Sequence, residues 1–160
     1  MHITRGFTLI ELMITIAILA IVIAIAAPSF TSVIQTNRAT SLHHELLGAI
    51  QLARSESVKR RQDVIVCRTE DQETCDNGSD WSVGWLVREV DATGDVLKVW
   101  DAVAGMTLTG PNTGVVFHSS GMTEAAANFT ATTSSCTTGT KYTIGVSLTG
   151  SATVNKTGCP

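Results

Sequence analysis

Two kinds of residue in this chain could do chemistry, and neither kind forms an obvious catalytic set. The first is a lone carboxylate. From Phe7 to Ala27 the chain runs for twenty-one residues in which Glu11 is the only charged side chain. An ionised group inside so apolar a stretch costs a few kcal/mol even on permissive insertion scales, so it needs a partner. The second kind is sulfur: Cys67, Cys75, Cys136 and Cys159, all beyond the apolar stretch. None forms a C-x-x-C, and no histidine is spaced to complete a zinc site with them. Exported, four such cysteines form two disulfides. Of the three connectivities, the sequence-local one is favoured: Cys67–Cys75 closing an acidic loop and Cys136–Cys159 tying down the tail.

Other chemical candidates are weaker. His118 is followed by Ser119 and Ser120, but a nucleophilic triad is assembled in space, with an orienting acid and an oxyanion hole. There is no phosphate-binding loop, H-E-x-x-H or G-x-S-x-G motif, so no catalytic residue, metal ligand or cofactor site is assigned and the chain is not expected to be an enzyme. Glu70, Asp71, Glu73, Asp76 and Asp80 crowd one loop, but without calcium-loop spacing they read as a solvated turn. His43 and His44 read as part of a polar helix face. Lys59, Arg60 and Arg61, with Lys156 further on, are candidates for nucleic-acid contact. For the first three, a helix C-terminus that favours cations is the better explanation. Net charge is −3, with six Lys/Arg against three Asp/Glu over 29–68 and four against ten over 69–160. Bulk nucleic-acid binding by the C-terminal half is therefore disfavoured.

The elements follow from periodicity. Twenty-one helical residues would span about 31 Å, close to the thickness of a bilayer's hydrocarbon core. Arg5 and the amino terminus precede them, which keeps the N-terminus cytoplasmic and sends the rest outside. Pro28 should bend or open the helix. Beyond it, Ala39, Leu42, Leu46, Ala49, Ile50 and Ala53 fall at helix spacing for a half-buried stripe. One long helix from about Thr8 to about Arg60 is predicted, the first half apolar all round and the second packed on a head.

From Asp63 onward, short runs rich in Val, Ile, Thr and aromatic residues alternate with turn residues. Strands are predicted at 63–68, 81–90, 96–100, 115–118, 128–132, 142–148 and 152–156. Asp91–Asp95 should turn a hairpin, and Ser120-Gly121 and Thr149-Gly150 should form turns. In the second strand Trp81, Val83, Trp85 and Val87 share one face, which makes the tryptophans core rather than a stacking platform. The fold class is α+β: a long helix, then a mostly antiparallel β-sheet head.

The N-terminus admits three interpretations. It is a plain anchor; or a secretory signal cut after the small-x-small Ala24-Ile25-Ala26; or, using every residue, an assembly signal. In the last, a basic leader ends at Gly6, Phe7 follows, Glu11 is fifth from Phe7, and Pro28 is twenty-second. "RGFTLIEL" resembles the class III signal of type IV pilins and type II secretion pseudopilins. The resemblance implies that a prepilin peptidase cuts between Gly6 and Phe7 and methylates the Phe7 amine. It implies four segments: leader 1–6, transmembrane and assembly helix 7–28, stem 29–62, and periplasmic head 63–160. It also implies a single pass through the bacterial inner membrane, and a buried pair between Glu11 and a neighbour's Phe7 ammonium that sets helix register.

"LARSESVKRRQDVIVC", "DWSVGWLV", "VVFHSSGM" and "SLTGSATVNKTGC" are similar to the GspH/FimT family of minor pilins and pseudopilins, the first stretch most like its pilus members. That implies a subunit at or near a filament tip that helps prime assembly, with other minor pilins and the major pilin as partners. The H-type pseudopilin of type II secretion is the alternative. Some relatives contact DNA through tail arginines following a glycine; here Ser151 and Thr153 stand in their place and Lys156 is the only cation. DNA affinity rests largely on phosphate neutralisation, so DNA contact is the least favoured of the three.

Overall fold

The computed structural model describes residues 7–91, 94–133 and 140–159, with the backbone alone for 26–32. Helix α1 covers Leu9–Arg60, close to the bounds predicted from periodicity. Lys59 and Arg60 lie in its last turn, where the exposed carbonyls favour cations. Arg61 then turns the chain out with φ +56°, a left-handed position more often filled by glycine. Pro28 lies within the helix bounds; its side chain, and with it the expected bend, falls outside the described residues.

The chain divides into two compact units, one ending at Ile34 and one beginning at Gln35. In the first, every large apolar side chain of α1 from Leu9 to Ile25 is more than half exposed. Among the described residues no helix is long and apolar enough to cross a membrane. The described apolar part, Leu9–Ile25, reaches about 26 Å at roughly 1.5 Å per residue, just short of a hydrocarbon core of about 30 Å. The sequence carries that run on to Ala27.

The second unit holds the core. Its strands are β1 (Val64–Arg68), β2 (Trp85–Glu89), β3 (Val96–Trp100), β4 (Met106–Thr109), β5 (Val115–Phe117), β6 (Ala127–Thr133), β7 (Thr140–Val146) and β8 (Ala152–Gly158). They form two four-stranded sheets, ordered β3-β2-β1-β5 and β4-β6-β7-β8. Every pairing is antiparallel. The expected single sheet is therefore two. The helical stripe lies inside as the spacing requires: Ala39, Leu42, Leu46, Ala49, Ile50 and Ala53 are each at most 2% exposed. They join one apolar cluster with Val64, Val66, Trp85, Phe117, Phe129 and Ile144.

Three local expectations are corrected. Residues 81–90 do not form one strand. The Trp81 amide donates to the Leu108 carbonyl at 2.7 Å, and Asp80 bridges Thr109, which draws this end toward β4. Trp85 begins β2, which pairs with β1. Gly84, at φ +128°, sits between them, and a Cβ there would lie 3.0 Å from the Trp100 carbonyl oxygen. Trp81 thus lies beside β4 of one sheet while Trp85 opens a strand of the other, yet both are fully buried. Trp81 meets Phe129 edge-on at 4.9 Å and donates its indole N–H to the Pro111 carbonyl at 3.0 Å.

The second correction is β4, which sequence reading missed although Met106 and Leu108 are buried in strict alternation with Thr107 and Thr109. The third is His43. It is 7% exposed, because it sits one helical turn after Ala39 on the buried face, and its ring stacks on Tyr142 at 4.1 Å. Only His44 remains on the exposed face. The turns at Gly121 and Gly150 form as expected, closed by amide bonds to His118 and Ser147.

Leu46 is fully buried, and removing a buried leucine side chain costs about 2–5 kcal/mol. Leu46→Ala should lower the unfolding free energy of the full chain in detergent by that amount in a denaturant titration, whereas Val33→Ala, at an exposed position, should change it by no more than about 0.5 kcal/mol.

Candidate functional site

The N-terminal carboxylate is held by its own helix. Thr8 precedes α1, and Glu11 is the third residue of its first turn. The Thr8 amide and hydroxyl donate to Glu11 Oε2 at 3.0 and 2.9 Å, and the Glu11 amide donates back to Thr8 Oγ1 at 3.3 Å. This reciprocal arrangement is a capping box, which satisfies amides left unpaired at a helix start. The T-x-x-E signature stands in "TLIE" and went unused in the sequence reading. Both Thr8 bonds fall on one oxygen, Oε2, so Glu11 caps its helix and retains Oε1 for a further donor. Phe7, just before the box, is 84% exposed. Gly6 lies outside the described residues.

The head places the remaining candidates. Cys67, on β1, and Cys75 are joined by a disulfide with Cα atoms 5.5 Å apart. Cys159 is also disulfide-bonded; Cys136, its expected partner, lies outside the described residues. In the loop so closed, Asp71 accepts from the Thr74 hydroxyl at 2.6 Å and the Thr74 and Glu73 amides at 2.8 and 2.9 Å. These donors, the Thr74 hydroxyl foremost, hold the Asp71 carboxyl far below the usual carboxylate range. Asp76 accepts from the Glu70 amide at 2.8 Å, and Arg68 reaches the Asp80 and Asn77 carbonyls and the Glu70 carboxylate. Asp71, Asp76 and Asp80 thus order the backbone of their own loop, while Glu70 pairs with Arg68.

Of the basic candidates, Arg60 pairs with Glu56 at 2.7 Å and Glu89 at 2.9 Å, and Lys59 with Glu56 at 3.2 Å. Lys156, on β8, stands 5.9 Å from the centre of the Tyr142 ring. The structure does not bring these cations together with Arg61 into one patch of unpaired charge. His118 binds Asp63 at 2.9 Å in a half-exposed pair, and the neighbouring serines make no bond to it in the described structure.

An exposed apolar helix capped by its own carboxylate, followed by a disulfide-stapled head of two antiparallel sheets, is a pilin-like architecture. The comparisons identify the group within that class. The family model "Type II transport protein GspH" matches residues 43–150, and the prokaryotic N-terminal methylation motif matches residues 1–27. The chain therefore belongs to the GspH family of minor pilins and pseudopilins.

Solved structures share the fold. The type IV minor pilin FimU of Pseudomonas aeruginosa PAO1, in two crystal forms, is 20% and 21% identical, with TM-scores of 0.57 and 0.59. The matches cover 72% and 74% of this chain and 91% and 89% of those chains. The minor pseudopilin EpsH from the Type 2 Secretion System of Vibrio cholerae is 12% identical at TM-score 0.53, covering 76% of this chain and 95% of that one. No curated protein matches the chain significantly.

The Asp71 geometry carries a pH signature. A carboxyl held low contributes order above the ordinary carboxylate range near pH 4 and loses it only as pH falls through its depressed value. In a carboxyl-carbon NMR titration of the full chain, Asp71 should stay ionised from pH 6 to about 3, with the Glu73 and Thr74 amides still protected. A titration midpoint near pH 4 would contradict the hydrogen-bond assignment.

Proposed function

We propose that this chain is a minor pilin built into a type IV pilus, where it takes part in assembly at or near the tip. One observation carries the proposal: an N-terminal methylation motif and a GspH-family head share one chain, joined by a helix whose apolar side chains are uncovered from Leu9 to Ile25. In this proposal a prepilin peptidase on the cytoplasmic face removes the leader after Gly6 and methylates Phe7. Residues 7–28 hold the subunit in the inner membrane, with the head in the periplasm, until it enters the filament.

Glu11 then has two tasks. Its Oε2 continues to cap the helix, and its Oε1 accepts from the Phe7 ammonium of an adjacent pilin. The pairing neutralises two charges that neither lipid nor an apolar bundle solvates well. It also fixes axial register between neighbouring helices. The likeness of "LARSESVKRRQDVIVC" to pilus members supports the pilus over secretion. The family description, a type II transport protein, supports the second reading: the same subunit in a secretion pseudopilus. DNA contact draws less support, since Lys59 and Arg60 are already paired with carboxylates and phosphate binding needs free cations.

The test is a chromosomal deletion complemented with either the wild-type or the Glu11→Ala gene, scored for surface piliation, exoprotein release and the chain's membrane level. The proposal expects piliation lost on deletion and restored by wild type. It expects Glu11→Ala to reach wild-type membrane levels yet fall at least tenfold in sheared filaments. Normal piliation with failed secretion would replace the pilus by the pseudopilus reading. Normal incorporation of Glu11→Ala would refute the pairing.

A further inference from the structure

Along the unit from Gln35 onward runs an open groove of about 750 Å³. One wall is the exposed face of α1 at Ser41, Glu45, Gly48 and Leu52; the other is β3, through Lys98 and Trp100. Three features of this groove fit a partner from outside the chain. The first is Gly48, which sits mid-helix, where glycine is disfavoured relative to alanine. A Cβ built there meets nothing within 4 Å, and Gly48 is absent from the positive-φ glycines. No contact of the chain itself requires a glycine there. Glycine also serves where another backbone must approach closely.

The second feature is β3 itself. Among the described residues it ends its sheet and pairs only with β2, leaving the main-chain groups of its other edge without a strand partner there. Free edges of this kind are templates for strand addition. The third is a prepared pair of side chains. Trp100 stacks on buried Trp85 at 6.0 Å and carries the Lys98 ammonium 4.7 Å from its ring centre. Among the described residues Lys98 has no carboxylate partner, while across the groove Glu45 is engaged by the Ser41 hydroxyl at 3.1 Å.

We propose that this groove receives an extended segment of a neighbouring filament subunit, added to β3 as a fifth strand of that sheet. The added strand would lie about 4.8 Å from β3, with its backbone passing over Gly48. Its alternating side chains would place an apolar group against Trp100 and Leu52 and a carboxylate opposite Lys98. A helix in the same place would leave the β3 edge unpaired, so the groove selects a strand. The inference rests on the filament-subunit reading and adds the surface and the chemistry of one contact.

The experiment uses the full chain in detergent, mixed in turn with each purified pilin of the same system. Gly48→Ala fits the free chain, since nothing within 4 Å opposes a Cβ there, and Gly48→Leu extends from the same exposed position into the open groove. Both should melt at or above the wild-type temperature. With one partner, Gly48→Leu should lose at least tenfold in affinity and Gly48→Ala a smaller amount. Lys98→Glu should lose affinity too, and most strongly at low salt. Hydrogen exchange should show new protection at 96–100 in the complex only. Gly48→Leu binding that partner within twofold of wild type would overturn the groove assignment. So would protection on the stem without protection on β3. Wild type binding no pilin at all would overturn the filament reading and this contact with it, a result distinct from the other two.

Discussion

An uncovered apolar helix surface is the constraint around which the rest of this molecule is arranged. From Leu9 to Ile25 the large side chains of α1 stand more than half exposed, and each is worth about 1.5–3 kcal/mol when removed from water. A surface of that kind has two covers: lipid tails, or the same helices of neighbouring subunits. Because tails are as apolar as leucine, the hydrophobic effect does not choose between them. The polar residue must choose. Glu11 is tolerable near a headgroup and is better satisfied by an ammonium group, and only cleavage after Gly6 would place one at Phe7. The capping box matters here because it holds the carboxylate at a defined position before any partner arrives.

The head solves a separate problem. Its core uses one helical stripe and the inner faces of two sheets, so the stem from Gln35 onward is a wall of the core rather than a tether. The join between the sheets is local. Asp80 and Trp81 lie against β4, Trp85 opens β2, and Gly84 supplies the backbone conformation between them. The Cys67–Cys75 disulfide and the Asp71 hydrogen bonds order the loop leading into that join. What the core leaves open is the outer face of the stem at Gly48 and the free edge of β3.

Helix and stem were legible because their signals are local and repeated. Six stripe residues at 3.6-residue spacing all proved buried, and the helix ends near where cations gather and apolar periodicity stops. The strands at β1, β3, β5, β6, β7 and β8 were legible within a few residues from alternation and turn chemistry. Failures came where long-range pairing overrides local pattern. Trp81 and Val83 continue the alternation of β2, yet the Trp81 amide bonds to Leu108, far along the chain. Two sheets rather than one is likewise a matter of pairing, which no window of sequence contains. His43 looked polar by type, but its place one turn after Ala39 put it inside, against Tyr142. The capping box and β4 are different: "TLIE" and "MTLT" carried their signatures in plain view, the first hidden behind the question of Glu11's charge.

In a filament, neighbouring subunits would cover the apolar face of α1. Ile16 lies in the middle of that face and is 58% exposed in the isolated chain, which makes Ile16→Cys a direct reporter. The measurement is maleimide labelling of Ile16→Cys in sheared, membrane-free filaments, with the non-reduced chain unfolded in guanidinium chloride as the exposed reference. The chain should be present in the sheared fraction and label at least tenfold more slowly there than when unfolded. Recovery of the chain only in the inner membrane, or filaments in which the Ile16→Cys thiol labels as fast as in the unfolded chain, would contradict coverage by neighbouring subunits.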